Sequence, residues 1–452
     1  MDARSGSLDD WLAQQLPRAT EALLRSVSPV GLSKTRPGFG HTIHPRKGSI
    51  VASPVLADWD PEPDYFFHWF RDSAVVIDAL RQLFRSRRLG RQALEHFADF
   101  VRFSLSLRSL DGRTVAADPL WRNRVMPDFV RFLRTDAELS AVHGDAVIAE
   151  TRVNPDGTLD ISSWTRPQHD GAPLRVLAVL RWANEVALEP ELLRDVSDLI
   201  RGDLAFTASF WQQPSFDIWE EEQGLHYYTL CVSAAALSEG AAWLQNAGET
   251  PLAGEYRQQA QSIHRQLDQY WLPECGHYSS RVLASGERST KELDIAVILA
   301  AIHAPHRGER HAVSDPRMQA TFERLVTLFD GLYEINHDRP PGRAPGMGRY
   351  AGDVYFAGGA YYFSTLGAAE FCFLAAAATP ERTAWLARGD AFLETVRYFV
   401  PADGEMSEQF DQHSGAPRSA RHLAWSYASF ISCMSARSAV LGAAGARRHA
   451  AR

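Results

Sequence analysis

One stretch limits what this chain can become. From residue 225 to 244, alanine, leucine and other small or apolar residues occupy nearly every side of a helical wheel. That is the pattern of a helix buried by neighbours. The next segment, 252–272, is amphipathic, with Tyr256, Ile263, Leu267 and Trp271 set against Arg257, Gln258, Gln261 and Arg265. Between them, Gln245-Asn246-Ala247-Gly248-Glu249-Thr250-Pro251 has the Gly-then-Pro punctuation of a helix–turn–helix connection. Helical periodicity of this kind recurs, with segments beginning near residues 8, 71, 90, 171, 190, 225, 250, 290, 316, 359, 380 and 418. In 72–84, for example, Ala74, Val75, Ile77, Leu80, Leu83 and Phe84 trace one face. Strand signals are short, such as Thr114-Val115-Ala116, and no βαβ alternation is seen. The chain reads as all-α, with about a dozen helices in consecutive pairs.

Composition narrows the function. The 452 residues can bury a large core, and no linker or low-complexity run divides them. One domain over residues 1–452 is expected. A formal net charge of −8 argues against nucleic acid as partner. The N-terminus lacks an apolar leader core, and no stretch of about 18 apolar residues could span a membrane. A cytoplasmic protein without a membrane partner is therefore expected. Cys231, Cys275, Cys372 and Cys433 share no Cys-x-x-Cys spacing and read as free thiols. His303, His306 and His311 share a loop but lack carboxylate or cysteine partners at ligand spacing, so no metal is expected.

Long stretches without periodicity, at 29–70, 110–170, 211–224, 336–358 and 402–417, suggest functional loops at one end of a helical scaffold. Two of them hold glutamates among aromatic and polar neighbours: Phe216-Asp217-Ile218-Trp219-Glu220-Glu221-Glu222 and Glu405-Met406-Ser407-Glu408-Gln409-Phe410-Asp411. Two carboxyls placed across a sugar are the minimum equipment for breaking a glycosidic bond. Each glutamate alone would be read as a solvated surface acid. Arg71-Asp72 within the aromatic-rich run at 65–73 is harder to dismiss, because buried charges need partners. Motifs for other chemistries, G-x-S-x-G, H-E-x-x-H and the phosphate-binding loop, are absent.

The chain resembles the catalytic domain of glucoamylases, glycoside hydrolase family 15. The segments carrying the resemblance come in the family's order: DYFFHWFRDS at 64–73, SWTRPQHDG at 163–171, DIWEE at 217–221, GRYAGDVY at 348–355, and MSEQFD with SARHLAWSY at 406–411 and 419–427. The resemblance implies an (α/α)6 barrel and removal of single glucose units from non-reducing ends of α-glucans with inversion to β-glucose. It makes Glu220 the general acid and Glu408 the general base. Arg71, Asp72 and Arg349 would grip the terminal glucose, Tyr65 would sit beside the developing oxocarbenium, and Trp164 would line the substrate path. Asp217 and Glu221 are acidic neighbours of the acid, with Glu221 near the leaving sugar, and Asp353 and Trp425 are supporting positions. Trp69, Trp164 and Trp219 offer flat faces to the sugar.

From this follow physical expectations. Asp217 and Glu221 should raise the pKa of the acid, while the base should sit in a polar setting and stay ionised. No metal or organic cofactor is implied. There are departures: Ala357-Gly358-Gly359-Ala360-Tyr361 stands where fungal members have Asn-Gly-Asn-Pro-Trp, and His68 and Phe70 replace threonines. Neither a starch-binding module nor an N-terminal β-sandwich is expected, which favours soluble maltooligosaccharides over raw starch. The alternatives are an α-1,6-glucosidase on isomaltose or dextran, a trehalase, or a sugar-binding relative without catalysis. The oligomeric state is left open.

Overall fold

The structure, a computed structural model, describes residues 6–59, 61–305, 310–356 and 358–450, with side chains to 442. Helices α1 (Leu8–Leu24), α2 (Phe70–Arg85) and α3 (Arg91–Leu107) are followed by three short ones, α4 (Gly112–Ala116), α5 (Asp136–Ser140) and α6 (Asp145–Ile148). Then come α7 (Gly171–Glu185), α8 (Pro190–Phe210), α9 (Tyr227–Asn246), α10 (Thr250–Leu267), α11 (Ala296–His303) and α12 (Pro316–Leu332). The last are α13 (Tyr362–Ala378), α14 (Arg382–Phe399) and α15 (Ala424–Ala450).

The long helices alternate between two concentric layers. α2, α7, α9, α11, α13 and α15 pack in that order, and α15 returns to α2 to close a ring. Outside it, α3 packs on α2, α8 on α7, α10 on α9, α12 on α11, α14 on α13 and α1 on α15. This is an (α/α)6 barrel. The sequence supplies the reason for two layers. α9 is buried continuously from Tyr227 to Leu237, whereas α10 buries only Ala253, Tyr256, Ala260, Ile263 and Leu267. α11 and α13 are apolar all round like α9. A helix without a polar face belongs inside, and one with a single stripe belongs on the rim.

Connections from an inner helix to the next outer one are mostly short, as at 86–90, 186–189, 247–249 and 379–381. Connections from outer to inner are long, and all the loops flagged in the sequence belong to this second set. They therefore gather where the inner helices begin. Miniature antiparallel sheets brace them. Ser215–Phe216, Gln223–His226 and Arg281–Leu283 form one, and Ala360–Tyr361, Gln409–Phe410 and Pro417–Arg418 another.

Some local expectations are corrected. Thr114-Val115-Ala116 lies in α4 rather than a strand, since Asp111 caps that turn by accepting from the Arg113 N–H at 2.9 Å. The helix expected over 252–272 ends at Leu267. Pro273 cannot continue it, and Trp271–Leu272 instead pairs with His277–Tyr278. α11, α13 and α15 begin at 296, 362 and 424 rather than 290, 359 and 418, because the residues before them are drawn into the loops. Cys231, Cys372 and Cys433 are buried free thiols and Cys275 is partly exposed. Among the described residues no helix is long and apolar enough to cross a membrane.

Candidate active site

A pocket opens where the inner helices begin, and both glutamates line it. Glu220 stands in the turn between two paired strands, Ser215–Phe216 and Gln223–His226. Asp217 builds that turn. Its Oδ1 accepts from the N–H groups of Trp219 (3.1 Å) and Glu221 (2.9 Å), and its carbonyl accepts from the Glu220 N–H (2.9 Å). The result is a left-handed Glu220, φ +65°. Such conformations persist in non-glycine residues only where the surroundings enforce them. The Glu220 carboxylate accepts from Trp69 Nε1 (2.8 Å) and Arg71 Nη2 (3.2 Å) on Oε1, and from Trp164 Nε1 on Oε2. A carboxylate offers about four acceptor sites. The site these donors leave is on Oε2.

Glu408 precedes Gln409–Phe410, the central strand of the other sheet. Its N–H donates to the Ala420 carbonyl at 2.8 Å, and its carbonyl accepts from the Tyr362 N–H at 3.2 Å, so the backbone is held from both sides. Ser419 Oγ donates to Oε2, and Tyr65 OH lies 3.4 Å from Oε1. Tyr65 OH also shares a hydrogen bond with Tyr355 OH at 2.7 Å. Burial pushes the Glu408 carboxyl up to about 7, against the opposing pull of Ser419 and Arg349. The expectation of a polar, ionised setting for this group is therefore corrected. Its donors are neutral hydroxyls, too few to offset desolvation.

The pocket floor is a stack of rings. Trp425 lies on Phe363 with centroids 4.5 Å apart and planes at 9°, and Trp219 stacks on both. Arg71 sits 5.1 Å over Trp425 and pairs with Asp72 at 3.1 Å. Burial works against the Arg71 charge, but Asp72, Asp170 and Glu220 more than offset it and hold the guanidinium firmly protonated. Arg71 Nε and Trp425 Nε1 are buried without a hydrogen-bond partner, and Arg71 Nη1 and Asp72 Oδ2 have ion-pair contacts alone. A sugar hydroxyl both donates and accepts, so it can satisfy such groups of either kind.

Of the residues singled out in the sequence, Tyr65, Trp69, Arg71, Asp72, Trp164, Trp219, Glu220, Arg349, Glu408 and Trp425 all line this pocket. Asp217 and Glu221 do not. Asp217 Oδ2 is paired with Arg281 at 2.5 Å. Glu221 pairs with Arg349 (2.9 Å) and Lys291 (2.7 Å) and accepts from Tyr350 OH. Their charges are neutralised by these cations, so they are not the like-charge neighbours foreseen for Glu220. Arg71, which contacts Glu220, also pairs with Asp72 at 3.1 Å and lies 3.8 Å from Asp170. Asp170 is buried and held up to about 7 by desolvation, with Arg71 opposing. Sequence reasoning also missed Tyr355, Ser419, Asp294 and Arg281. Arg281 is the buried hub of the acid loop: it contacts Asp217, Glu222 (2.9 Å) and Asp294, and Asp294 in turn accepts from Trp219 Nε1 at 2.8 Å.

The departures at His68 and Phe70 lie away from the pocket. Burial keeps His68 neutral, down to about 3, and its Nδ1 accepts from the Ile50 N–H at 3.0 Å. Ala357 and His306 lie outside the described residues. His303 and His311 do not meet each other but bond to Tyr228 and Tyr227. Among the described residues, Cys275, His277 and Glu292 could hold a metal ion, yet the Arg288 guanidinium already contacts Glu292 and Cys275 there.

Comparison with known proteins places this geometry among relatives. The profile of glycosyl hydrolases family 15 matches residues 19–105, 145–388 and 377–435. A probable glucoamylase of Schizosaccharomyces pombe is 26% identical over 97% of this chain and 94% of its own length. An intracellular, sporulation-specific glucoamylase of Saccharomyces cerevisiae is 26% identical over 97% of this chain and 85% of its own. Among solved structures, a glycoside hydrolase family 15 glucoamylase from Hypocrea jecorina superposes with a TM-score of 0.78. It is 25% identical over 96% of this chain and 73% of its own.

Proposed function

Since the chain belongs to glycosyl hydrolases family 15, we propose that it is an exo-acting, inverting glucan 1,4-α-glucosidase that releases β-glucose from the non-reducing ends of soluble α-glucans. The observation that carries this reading is the pairing of Glu220 and Glu408 in one pocket lined by stacked rings. In this reading the stacked rings receive a chain end, as an exo-enzyme requires.

In this reading the terminal glucose rests on Trp219, Trp425 and Phe363, with its hydroxyls on Arg71 and Asp72. Arg349, held by Asp353 at 2.6 Å, supports the same sugar. Glu220 donates a proton to the glycosidic oxygen, guided by Trp69, Arg71 and Trp164. The C1–O bond breaks, and positive charge develops beside Tyr65. Glu408 takes a proton from a water that attacks C1 on the opposite face, so the anomeric configuration inverts. Such a pair needs its carboxyls roughly 6.5–9.5 Å apart to leave room for the water. Trp69 bonds Glu220 and Tyr65 bonds Glu408, and the rings of these two donors lie 5.1 Å apart. The described helices act as one catalytic unit in this reading, and the intracellular yeast relative supports a cytoplasmic setting.

The test is glucose release from maltose, maltoheptaose, isomaltose, trehalose and soluble starch, with the product anomer followed by NMR. First appearance of α-glucose would sink inversion. Faster cleavage of isomaltose than of maltooligosaccharides would move the assignment to α-1,6 linkages, and inactivity on every α-glucoside would remove the enzyme reading.

A further inference from the structure

Three potential metal ligands meet away from the pocket. The strands Trp271–Leu272 and His277–Tyr278 are joined by the turn Pro273-Glu274-Cys275-Gly276. The N–H groups of Cys275 (3.1 Å) and Gly276 (2.8 Å) close that turn on the Leu272 carbonyl, and Gly276 takes φ +68° to reverse the chain. Glu292 arrives from the segment before α11. Its carbonyl accepts from the Ser280 N–H at 2.8 Å, which ties it to the chain leaving the hairpin. Cys275 Sγ, a ring nitrogen of His277 and a Glu292 carboxylate oxygen all lie within 4.8 Å of one another.

Two further observations give this meeting a chemical sense. His277 is only 6% exposed, and its Nδ1 lies 3.1 Å from the Tyr278 carbonyl. A carbonyl can only accept, so Nδ1 carries the proton and Nε2 keeps its lone pair. A carbonyl that orients an imidazole in this way is the usual outer partner of a metal-binding histidine. The donors also already surround a cation. Arg288 reaches Glu292 through two hydrogen bonds of 2.8 and 2.7 Å, and it lies 3.7 Å from Cys275 Sγ and 3.9 Å from Glu274. Its side chain is 61% exposed, so this cation is held at the surface and is free to swing out.

We propose that Cys275, His277 and Glu292 form a zinc site, with water or Glu274 as the fourth ligand, and that Arg288 holds its place until the ion displaces it. Thiolate and imidazole select zinc over magnesium and calcium, which take oxygen ligands. A tetrahedral ion with bonds of about 2.0–2.3 Å sets its donors roughly 3.4–3.6 Å apart. The three donors therefore close by little more than about 1 Å. The Cys275 proton passes to solvent as the ion binds. Once bound, the ion cross-links the hairpin to the segment whose Ser289 and Lys291 bond Glu222 and Glu221, each at 2.7 Å. Neither Glu220 nor Glu408 takes part, so the site stands apart from the reading of the pocket.

The experiment adds Co²⁺ and then Zn²⁺ to the reduced full chain and to Cys275→Ser, Glu292→Gln and Arg288→Ala. The expected result is a thiolate-to-cobalt charge-transfer band in the parent, bleached by zinc and missing from Cys275→Ser. Zinc affinity is read by competition with a chromophoric chelator. In Cys275→Ser and Glu292→Gln it should fall by at least the roughly 10–100-fold that loss of an outer partner alone costs. Arg288→Ala removes the competing cation and should tighten binding by roughly tenfold. Zinc should raise the Tm of the parent but not that of Cys275→Ser, and metal-free melting of each variant shows that its fold is kept. No charge-transfer band in either the parent or Arg288→Ala overturns the site. Equal zinc affinity in the parent and Cys275→Ser puts the ion elsewhere and overturns it as well. Weaker binding by Arg288→Ala would overturn the displacement, since Arg288 would then support the ion rather than compete with it.

Discussion

Ser419→Ala should move the acidic limb of the pH profile upward. Ser419 Oγ is the donor to Oε2 of Glu408, a carboxyl that burial already holds at about 7. Tyr65, at 3.4 Å, is the only other side-chain donor the structure gives it among the described residues. A hydrogen bond to a charged group contributes about 1.5–3 kcal/mol, and one pKa unit corresponds to about 1.36 kcal/mol. Losing the donor disfavours the ionised form and so raises the pKa further, by about one to two units on those figures. Water activation needs ionised Glu408, so at a pH well below the limb kcat/KM falls roughly tenfold per unit of displacement. The assay is kcat/KM for maltoheptaose from pH 4 to 9, which reports groups of the free enzyme. Ser419 lies at φ +60°, so Ser419→Gly relaxes the backbone while removing the same donor; it should shift the limb like alanine. An unmoved limb in both variants would break the link between Ser419 and the base. Movement of the basic limb instead would reverse the roles given to Glu220 and Glu408.

Other expectations follow from the same contacts. Glu220→Gln should cost about 10²–10⁴-fold on maltoheptaose yet partly spare α-glucosyl fluoride, whose leaving group needs no proton; Glu408→Gln should slow both, and the opposite pattern would exchange the assignments. Arg281→Lys, which loosens the acid loop through Asp217 and Asp294, should lower kcat on maltoheptaose by roughly tenfold or more and lower it less on the fluoride; equal losses on both would mark a general structural defect. Glu370, buried in the barrel wall beside Ser432, is raised to about 7 by desolvation. The folded state therefore holds this proton more tightly than the unfolded chain, and its stabilising contribution is full at low pH and lost as pH rises through about 7. Glu370→Gln should leave stability at pH 4 nearly unchanged and raise it at pH 8 by up to about 3 kcal/mol; equal urea midpoints for mutant and parent at pH 8 would count against this.

The two-layer architecture was legible because burial writes itself into local pattern. α9 and its partner α10 announce inside and rim by whether a polar face exists. The starts of α11 and α15 were misplaced because apolar residues such as Ile295 and Leu423 continue the helical pattern while serving the loops. Most pocket residues within the quoted motifs were found, Tyr355 excepted; those acting across the fold were not. Arg281 lies 64 residues from Asp217 in sequence, and nothing near it distinguishes it from a surface arginine. Ser419 sat inside a recognised segment, but its bond to Glu408 depends on how Gln409–Phe410 pairs with Pro417–Arg418. The ionised setting expected for Glu408 failed because burial outweighs its two hydroxyl donors, and the charges of Asp217 and Glu221 are answered from across the fold. Sequence shows which acids are neighbours but not that Arg281, Lys291 and Arg349 neutralise them.

The ring's closing seam has a consequence for biosynthesis. The barrel is sealed by α15 between α13 and α2, with α1 against its outer side; the Trp11 and Phe430 rings lie 5.9 Å apart, and Arg437 meets Asp9 at 2.8 Å. A ribosome thus exposes α1 and α2 long before their mate, which it makes only past residue 424. During that interval the nascent protein carries Glu220 with its bracing loop, while Glu408 still lacks Ser419 and the floor lacks Trp425. An apolar flank stays open to water for just as long, which makes the growing chain a natural client for chaperones that bind greasy surface. Arrest of translation before residue 424 should leave a species that captures such chaperones and cleaves nothing. Release of the final helix should end both conditions together.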